Sequence, residues 1–362
     1  MSPPTSPLEL LPNELLDQII SYLSTAPPSF GRLQHAPNLK LTHSPTKDLK
    51  HLALCSSRLL ELVRPRLFNH ARLYLHDERD FHSFMVNSNL GQHVTSLVVM
   101  GSGISDRRTD SCWWRQVLRY LDPGHVVVIA PPPFIGNTLG TPIMNAHNWA
   151  FEIELQILVL QRQCKARDLS QLPDLETCTS LLASRPWTSM SFNESSSLKS
   201  YHHYEYFLST VPSILGEWGA NLIRGGRQLP QRQTDLPTLL RGLTYFSYTA
   251  VFPFFNHSQI VLDAILGMQN LQRLDVRLAP CPGNHVTEVE QRGPMDPNDP
   301  WMELATSYSL VGFTVNKMKS LKEFRCNDLH VDAIRDDLLA ILDDVIGDGG
   351  WVHDGQGVWR RD

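Results

Sequence analysis

The sequence predicts an α+β protein: a small all-α helical domain followed by an irregular strand–helix domain, an α/β solenoid. Three observations predict this. Two blocks of helical periodicity occupy the chain up to Phe68. Short strand-like runs alternate with helical candidates from Val94 onward. The starts of those runs are separated by 32, 29, 32, 56, 28 and 50 residues, so that four intervals lie near 30. The boundary falls at residue 75, which divides the chain into a 1–75 helical domain and a 76–362 strand–helix domain.

The first block reads "LELLPNELLDQIISYLS". Pro12 suits the opening turn of a helix, where its missing N–H would have had no partner. Leu15, Leu16, Ile19, Ile20 and Leu23 then form one apolar stripe, with Asn13, Glu14, Asp17, Gln18 and Ser21 on the other side. Pro27, Pro28, Gly31, Pro37 and Pro45 dissolve the pattern, so residues 25–47 read as a long inserted loop. The second block, "DLKHLALCSSRLLELVRPRLF", carries Leu49, Leu52, Leu59, Leu60 and Val63 at helical spacing. Ser56 and Ser57 could break it or cap a third short helix, and Pro65 marks its expected end.

Seven strands are expected, in "VTSLVVMG", "HVVVIA", "LQILVL", "WTSMSF", "LTYFSY", "LQRLDVRL" and "LKEFRC". Most share an apolar-x-x-apolar-x-apolar form. In a chain that is 42% hydrophobic that form arises by chance at about 7% of positions, so the spacing carries the weight. A strand-plus-helix unit of this size approaches the leucine-rich repeat, whose period is about 20–29 residues. An ordinary closed α/β sheet remains the alternative. Helices are expected in "CWWRQVLRYL", "YEYFLSTVPSILGEW", "SQIVLDAILGMQ", "WMELATSYSLVGFTVNKM" and residues 331–346, with Gly347 as the stop of the last. "WVHDGQGVW" reads as a hairpin around Asp354-Gly355.

Bulk properties narrow the function. A chain of 362 residues with 19% charged residues buries a sizeable core. A net charge of −5 offers no global basic field to nucleic acid or anionic lipid. The acidic excess sits at the end, where residues 327–362 hold nine Asp against three Arg, a solvated surface or a docking face. Six scattered cysteines without a C-x-x-C pair, no secretory leader and no 18-residue apolar run point to the cytoplasm or nucleus and to no membrane span.

Catalytic signatures are lacking. "GNTLGT" has no lysine to reach a phosphate. "GDGG" follows a helix, whereas a dinucleotide loop precedes one. His202 and His203 are adjacent and diverge on either a strand or a helix, which suits packing rather than shared metal ligation. Trp113, Trp114, Tyr201, Tyr204 and Tyr206 are candidates for core or interface. The expectation is no catalytic residue, no metal and no cofactor.

Taken in order, the N-terminal blocks resemble an F-box of the form common in filamentous fungi. The matching points are Leu11-Pro12, Glu14, Leu15-Leu16, Ile19 and Leu23, then Asp48-Leu49, Leu52, Leu54, Arg58, Leu62 and the closing Arg64-Pro65-x-Leu67-Phe68. The rest of the chain is similar to the divergent leucine-rich regions that follow fungal F-boxes. Two departures stand out: the insertion at 25–47, and Leu59 and Cys55 where the family often has an aromatic residue and a valine. The resemblance implies a non-catalytic specificity subunit of a cullin-based, SCF-type ubiquitin ligase. Leu11, Pro12, Leu15, Leu16, Ile19, Leu52 and Leu59 would meet the Skp-family adaptor, through it a cullin scaffold. The C-terminal domain would hold an unknown protein substrate for ubiquitination by proximity. An F-box scaffold whose partner is not ubiquitinated is the alternative, and an enzyme on the α/β region the third reading.

Overall fold

The structure is a computed structural model that describes residues 6–23, 27, 29–39, 47–101, 110–141, 143, 153–163, 173–209, 213–223, 236–284, 296 and 298–361. The chain is α+β: twelve α-helices and one ten-stranded sheet lie among the described residues.

The N-terminal unit is helical, as its periodicity requires. Helix α1 (Asn13–Leu23) packs with α2 (Lys47–Ala53) and α3 (Ser57–Leu67) around Ile20, Leu49 and Val63. The second block does break in two: Ser56 caps α3, its hydroxyl accepting the Leu59 N–H at 3.3 Å. Pro65 does not end α3, which runs two residues further. A proline this close to the C-terminus forfeits one i−4 bond and leaves the last turn intact. Arg58 fastens the start of the chain, donating to the carbonyls of Glu9 and Leu11 (2.8 Å for the latter) and to Asn13 Oδ1 at 2.6 Å.

All seven expected strands form, joined by three more. They are β1 (His70–Tyr74), β2 (Ser96–Met100), β3 (His125–Ala130), β4 (Gln156–Gln161), β5 (Ser189–Ser196), β6 (Tyr245–Val251), β7 (Arg273–Arg277) and β8 (Glu323–Cys326). The expected hairpin supplies β9 (Val352–His353) and β10 (Val358–Arg360), turning at Gly355 and Gly357, both with positive φ. Spatial order is β1-β2-β3-β4-β5-β6-β7-β8-β10-β9.

This sheet corrects the solenoid expectation. Strand β4 runs antiparallel to both β3 and β5, and β10 runs antiparallel to β8. A parallel step needs a crossover back along the sheet, and an antiparallel step does not. Strand β1, residues 70–74 at the end of the expected 1–75 unit, pairs in parallel with β2.

One face of the sheet carries the helices. These are α4 (Glu78–Asn87), α5 (Trp113–Tyr120), α6 (Pro132–Thr138), α7 (Tyr204–Ser209), α8 (Ile214–Ile223), α9 (Leu236–Arg241), α10 (Phe255–Leu266), α11 (Asp299–Lys317) and α12 (Arg335–Ile346). Leu97, Val99, Val126, Val128, Phe246, Leu274 and Phe324 from the strands join Trp114, Trp218, Val261, Tyr308 and Leu342 from the helices in one large core. Trp113 and Trp114 are thus core residues, and Tyr201 is buried with its hydroxyl on the Phe252 carbonyl at 3.3 Å. Of the aromatic candidates, Tyr206 is exposed. Gly347 keeps a right-handed conformation, and the left-handed glycine after α12 is Gly350 at φ 73°. The acidic end is a solvated helix face at Asp336, Asp337, Asp343 and Asp344, whereas Asp328 is buried. Among the described cysteines Cys178, Cys281 and Cys326 are buried free thiols and Cys55 is exposed; Cys164 lies outside the described residues.

Candidate functional sites: an exposed helix stripe and the open sheet face

Two surfaces stand out. The first is on α1. Its wide apolar stripe splits into two rows, each at i, i+4 and i+7 spacing. Leu16, Ile20 and Leu23 turn inward. Leu15, Ile19 and Tyr22 turn outward, 46%, 40% and 79% exposed, and Leu10 adds a further exposed side chain at 72%. The seven adaptor candidates therefore separate. Pro12, Leu15 and Ile19 are exposed and Leu11 half-buried. Leu16 and Leu59 are 1% and 2% exposed, closed to a partner in this conformation, and Leu52 packs on the Ile20–Leu49–Val63 cluster. Leu54, Leu60 and Tyr22 are further exposed apolar residues of the helical unit, outside those seven.

The second surface is the sheet face opposite the helices. Strand registry aligns its side chains in rows across the sheet. One row reads Val98, Val127, Val159, Ser191, Ser247, Asp275 and Arg325; the next reads Met100, Ile129, Ile157, Asn193, Thr249 and Arg277. The face grades from aliphatic on β2–β4, through hydroxyl and amide on β5–β6, to charged on β7 and β8. The signal was available in sequence: "SLVVM" and "HVVVIA" are apolar at every position or nearly so, which requires cover on both faces, whereas "YFSYTAV" and "RLDVR" alternate.

The cover is the inserted loop. Residues 29–39 cross this face as a strap, with a 3₁₀ turn at Phe30–Arg32. Leu33 packs on the Val98, Met100, Val127, Ile129, Ile157 and Val159 cluster. Each such side chain left bare would forgo about 1.5–3 kcal/mol of burial. Phe30 meets the His125 ring edge-on with centroids 4.4 Å apart. Asn193 Nδ2 donates to the carbonyls of Leu33 and His35, both at 2.9 Å, and the Cys281 thiol donates to the Gln34 carbonyl at 3.0 Å.

Asn193 is held for this task by a β-bulge. Registry between β5 and β6 shifts between Asn193 and Ser196, with Ser195 at φ 70° and its N–H on Asn193 Oδ1 at 2.9 Å. Beneath the bulge Glu194 is fully buried, accepting from Ser213 and, at 2.7 Å, from Tyr248. Burial raises its carboxyl to about 7, against the lowering effect of those two donors. Burial, aided by His70, lowers His125 to about 4.

Between strap and sheet lies a half-open cavity of about 140 Å³. Phe30, Leu33 and Gln34 form one wall, and Ile157, Val159, Ser191, Asn193, Ser247 and Thr249 the floor. Beside it, Arg273 forks onto Asp275 with both N–O distances 2.9 Å, and Tyr245 donates to the same carboxylate at 3.0 Å. These bonds hold the guanidinium pKa well above its ordinary value, and burial raises Tyr245 to about 12. Further along, Glu323 gathers Arg273, Arg325 and Arg360 at 3.3, 3.7 and 3.1 Å. Among the described residues no group of His, Cys, Asp or Glu is placed to hold a metal ion, and no helix is long and apolar enough to cross a membrane.

No family model matches the chain, and no curated protein or solved structure matches it at a significant level.

Proposed function

We propose that the chain is an F-box-type substrate receptor, which docks a Skp-family adaptor through its N-terminal helices and offers the sheet domain to a protein substrate. The observation that carries the reading is the outward row Leu15, Ile19 and Tyr22 on α1, backed by a complete inward row on the same helix. A helix whose own core needs are met, yet which keeps a second apolar row in solvent, is built for a partner. The resemblance of the "LPNELLDQIISYL" and "RPRLF" segments to an F-box supports the adaptor as that partner.

Arg64 supports the geometry, donating to the Ser88 carbonyl at 3.1 Å and so linking α3 to the end of α4 in the sheet domain. An adaptor bound at α1 would hold that domain beside the ligase's charged ubiquitin, and the gain is proximity. The protein acts in the cytoplasm or nucleus under this reading. Co-expression with a Skp-family adaptor tests it: a stoichiometric complex through gel filtration is expected, and an adaptor that elutes separately would remove the proposal.

A further inference from the structure

We infer that the cavity under the strap is an anchor pocket for one tyrosine side chain of a docked protein segment. The inference rests on the substrate-receptor reading and gives its substrate a chemistry.

Size comes first. The cavity measures about 140 Å³, close to the roughly 150 Å³ of an engineered apolar cavity that binds benzene. A six-membered ring fits, and the open side leaves room for the backbone that carries it. Chemistry comes second. Leu33, Ile157 and Val159 give the ring an apolar seat, while Phe30 supplies an aromatic wall. Ser191, Ser247 and Thr249 set hydroxyls side by side across β5 and β6, with Gln34 above them. Ser247 and Thr249 are buried, the Ser247 hydroxyl bonded to the Tyr245 phenol that also lines the cavity, so the polar side of the cavity suits a further hydroxyl better than a bare ring edge. A phenol brings both an apolar ring and that hydroxyl, whereas a phenyl ring brings the first alone.

Charge comes third. No cationic or anionic side chain lines the cavity among the described residues. Of the guanidinium groups on this face, Arg273 is committed to Asp275 and Glu323, and Arg277, opposite Thr249, to the Cys281 sulfur and the Asn327 carbonyl. A phosphate on the tyrosine would enter without a counter-charge, so phosphorylation of the docking tyrosine releases the segment. Burial of an aromatic anchor in a pocket ringed by weaker contacts is how protein interfaces concentrate affinity.

The test uses the full chain, ¹⁵N-labelled, titrated with N-acetyl-tyrosinamide, N-acetyl-phenylalaninamide, N-acetyl-phosphotyrosinamide and N-acetyl-lysinamide. Saturable shifts at the Ser191, Asn193, Ser247 and Thr249 amides are expected for the tyrosine probe, at least threefold weaker for phenylalanine and none for the other two. Ser191→Phe, at a half-exposed position, fills the cavity and should weaken the tyrosine probe at least tenfold. Thr249→Leu, which strips one hydroxyl, should reduce the preference for tyrosine over phenylalanine. Shifts of equal size with all four probes, shifts located elsewhere, or undiminished binding to a folded Ser191→Phe chain would overturn the pocket. Adaptor capture is measured on the same preparations. Probe binding without adaptor capture leaves the pocket standing and removes the ligase reading, and adaptor capture without probe binding does the reverse.

Discussion

Removing the Asn193 side chain should release the strap from the sheet. In Asn193→Ala the carbonyls of Leu33 and His35 lose donors that sit at 2.9 Å. A hydrogen bond of this kind contributes about 0.5–1.5 kcal/mol net, so the pair holds the strap by roughly 1–3 kcal/mol. That corresponds to a rise of about 5- to 150-fold in the population of the open strap. Hydrogen exchange reads this directly, because the N–H groups of Phe30, Arg32 and His35 are bonded within the strap to Pro27, Ser29 and Arg32. Their protection should fall by that factor while amides of α10 in the core stay protected. Asn193→Asp sharpens the test. It keeps an acceptor for the Ser195 N–H but turns oxygen toward two carbonyls, and should loosen the strap at least as much as alanine. Unchanged strap protection in both variants would refute the claim that Asn193 pins it.

Two further outcomes follow from packing and protonation. A Cβ at Gly219 would collide with the Ile260 carbonyl oxygen, where α8 crosses α10; Gly219→Ala should therefore destabilise the chain by about 1–3 kcal/mol in urea melts. Stability should also pass through a maximum in pH. Burial holds His125 and His257 down to about 4, so the unfolded chain binds more protons there and stability falls as pH drops from about 6.5 toward 4. Glu194 is raised to about 7, so the folded chain holds the extra proton and its contribution fades as pH rises from about 4.5 through 7. Glu194→Gln should flatten the alkaline side alone, as read from urea midpoints between pH 5 and 9.

The strands were legible because each expected run is a dense apolar segment of four to eight residues. "HARLY" was not, since Ala71 and Leu73 are the sole inward positions of a strand otherwise polar. Strand direction was not legible at all: "LQILVL" reads alike whichever way it runs, and β4 lies antiparallel to both of its neighbours. The inserted segment declared itself a loop through its prolines and glycine. Its resting place depended on contacts such as Asn193 to Leu33, 160 residues apart, that no local pattern carries. On α1 the pattern gave an apolar face but could not divide it. Only the packing of α2 and α3 assigns Leu16 and Ile20 to the core and leaves Leu15 and Ile19 outside.

The adaptor affinity of the Leu15→Ala, Ile19→Ala double variant, measured by calorimetry against the unaltered chain, tests whether the outward row of α1 docks the adaptor. Both side chains are solvent-exposed, so the fold should melt as before. As interface anchors each should cost about 1–2 kcal/mol or more, together a loss of roughly 30-fold or greater. An unaltered chain that binds the Skp-family adaptor, paired with a folded double variant weakened to that extent, is the result expected. Equal adaptor affinity of the two chains would contradict it.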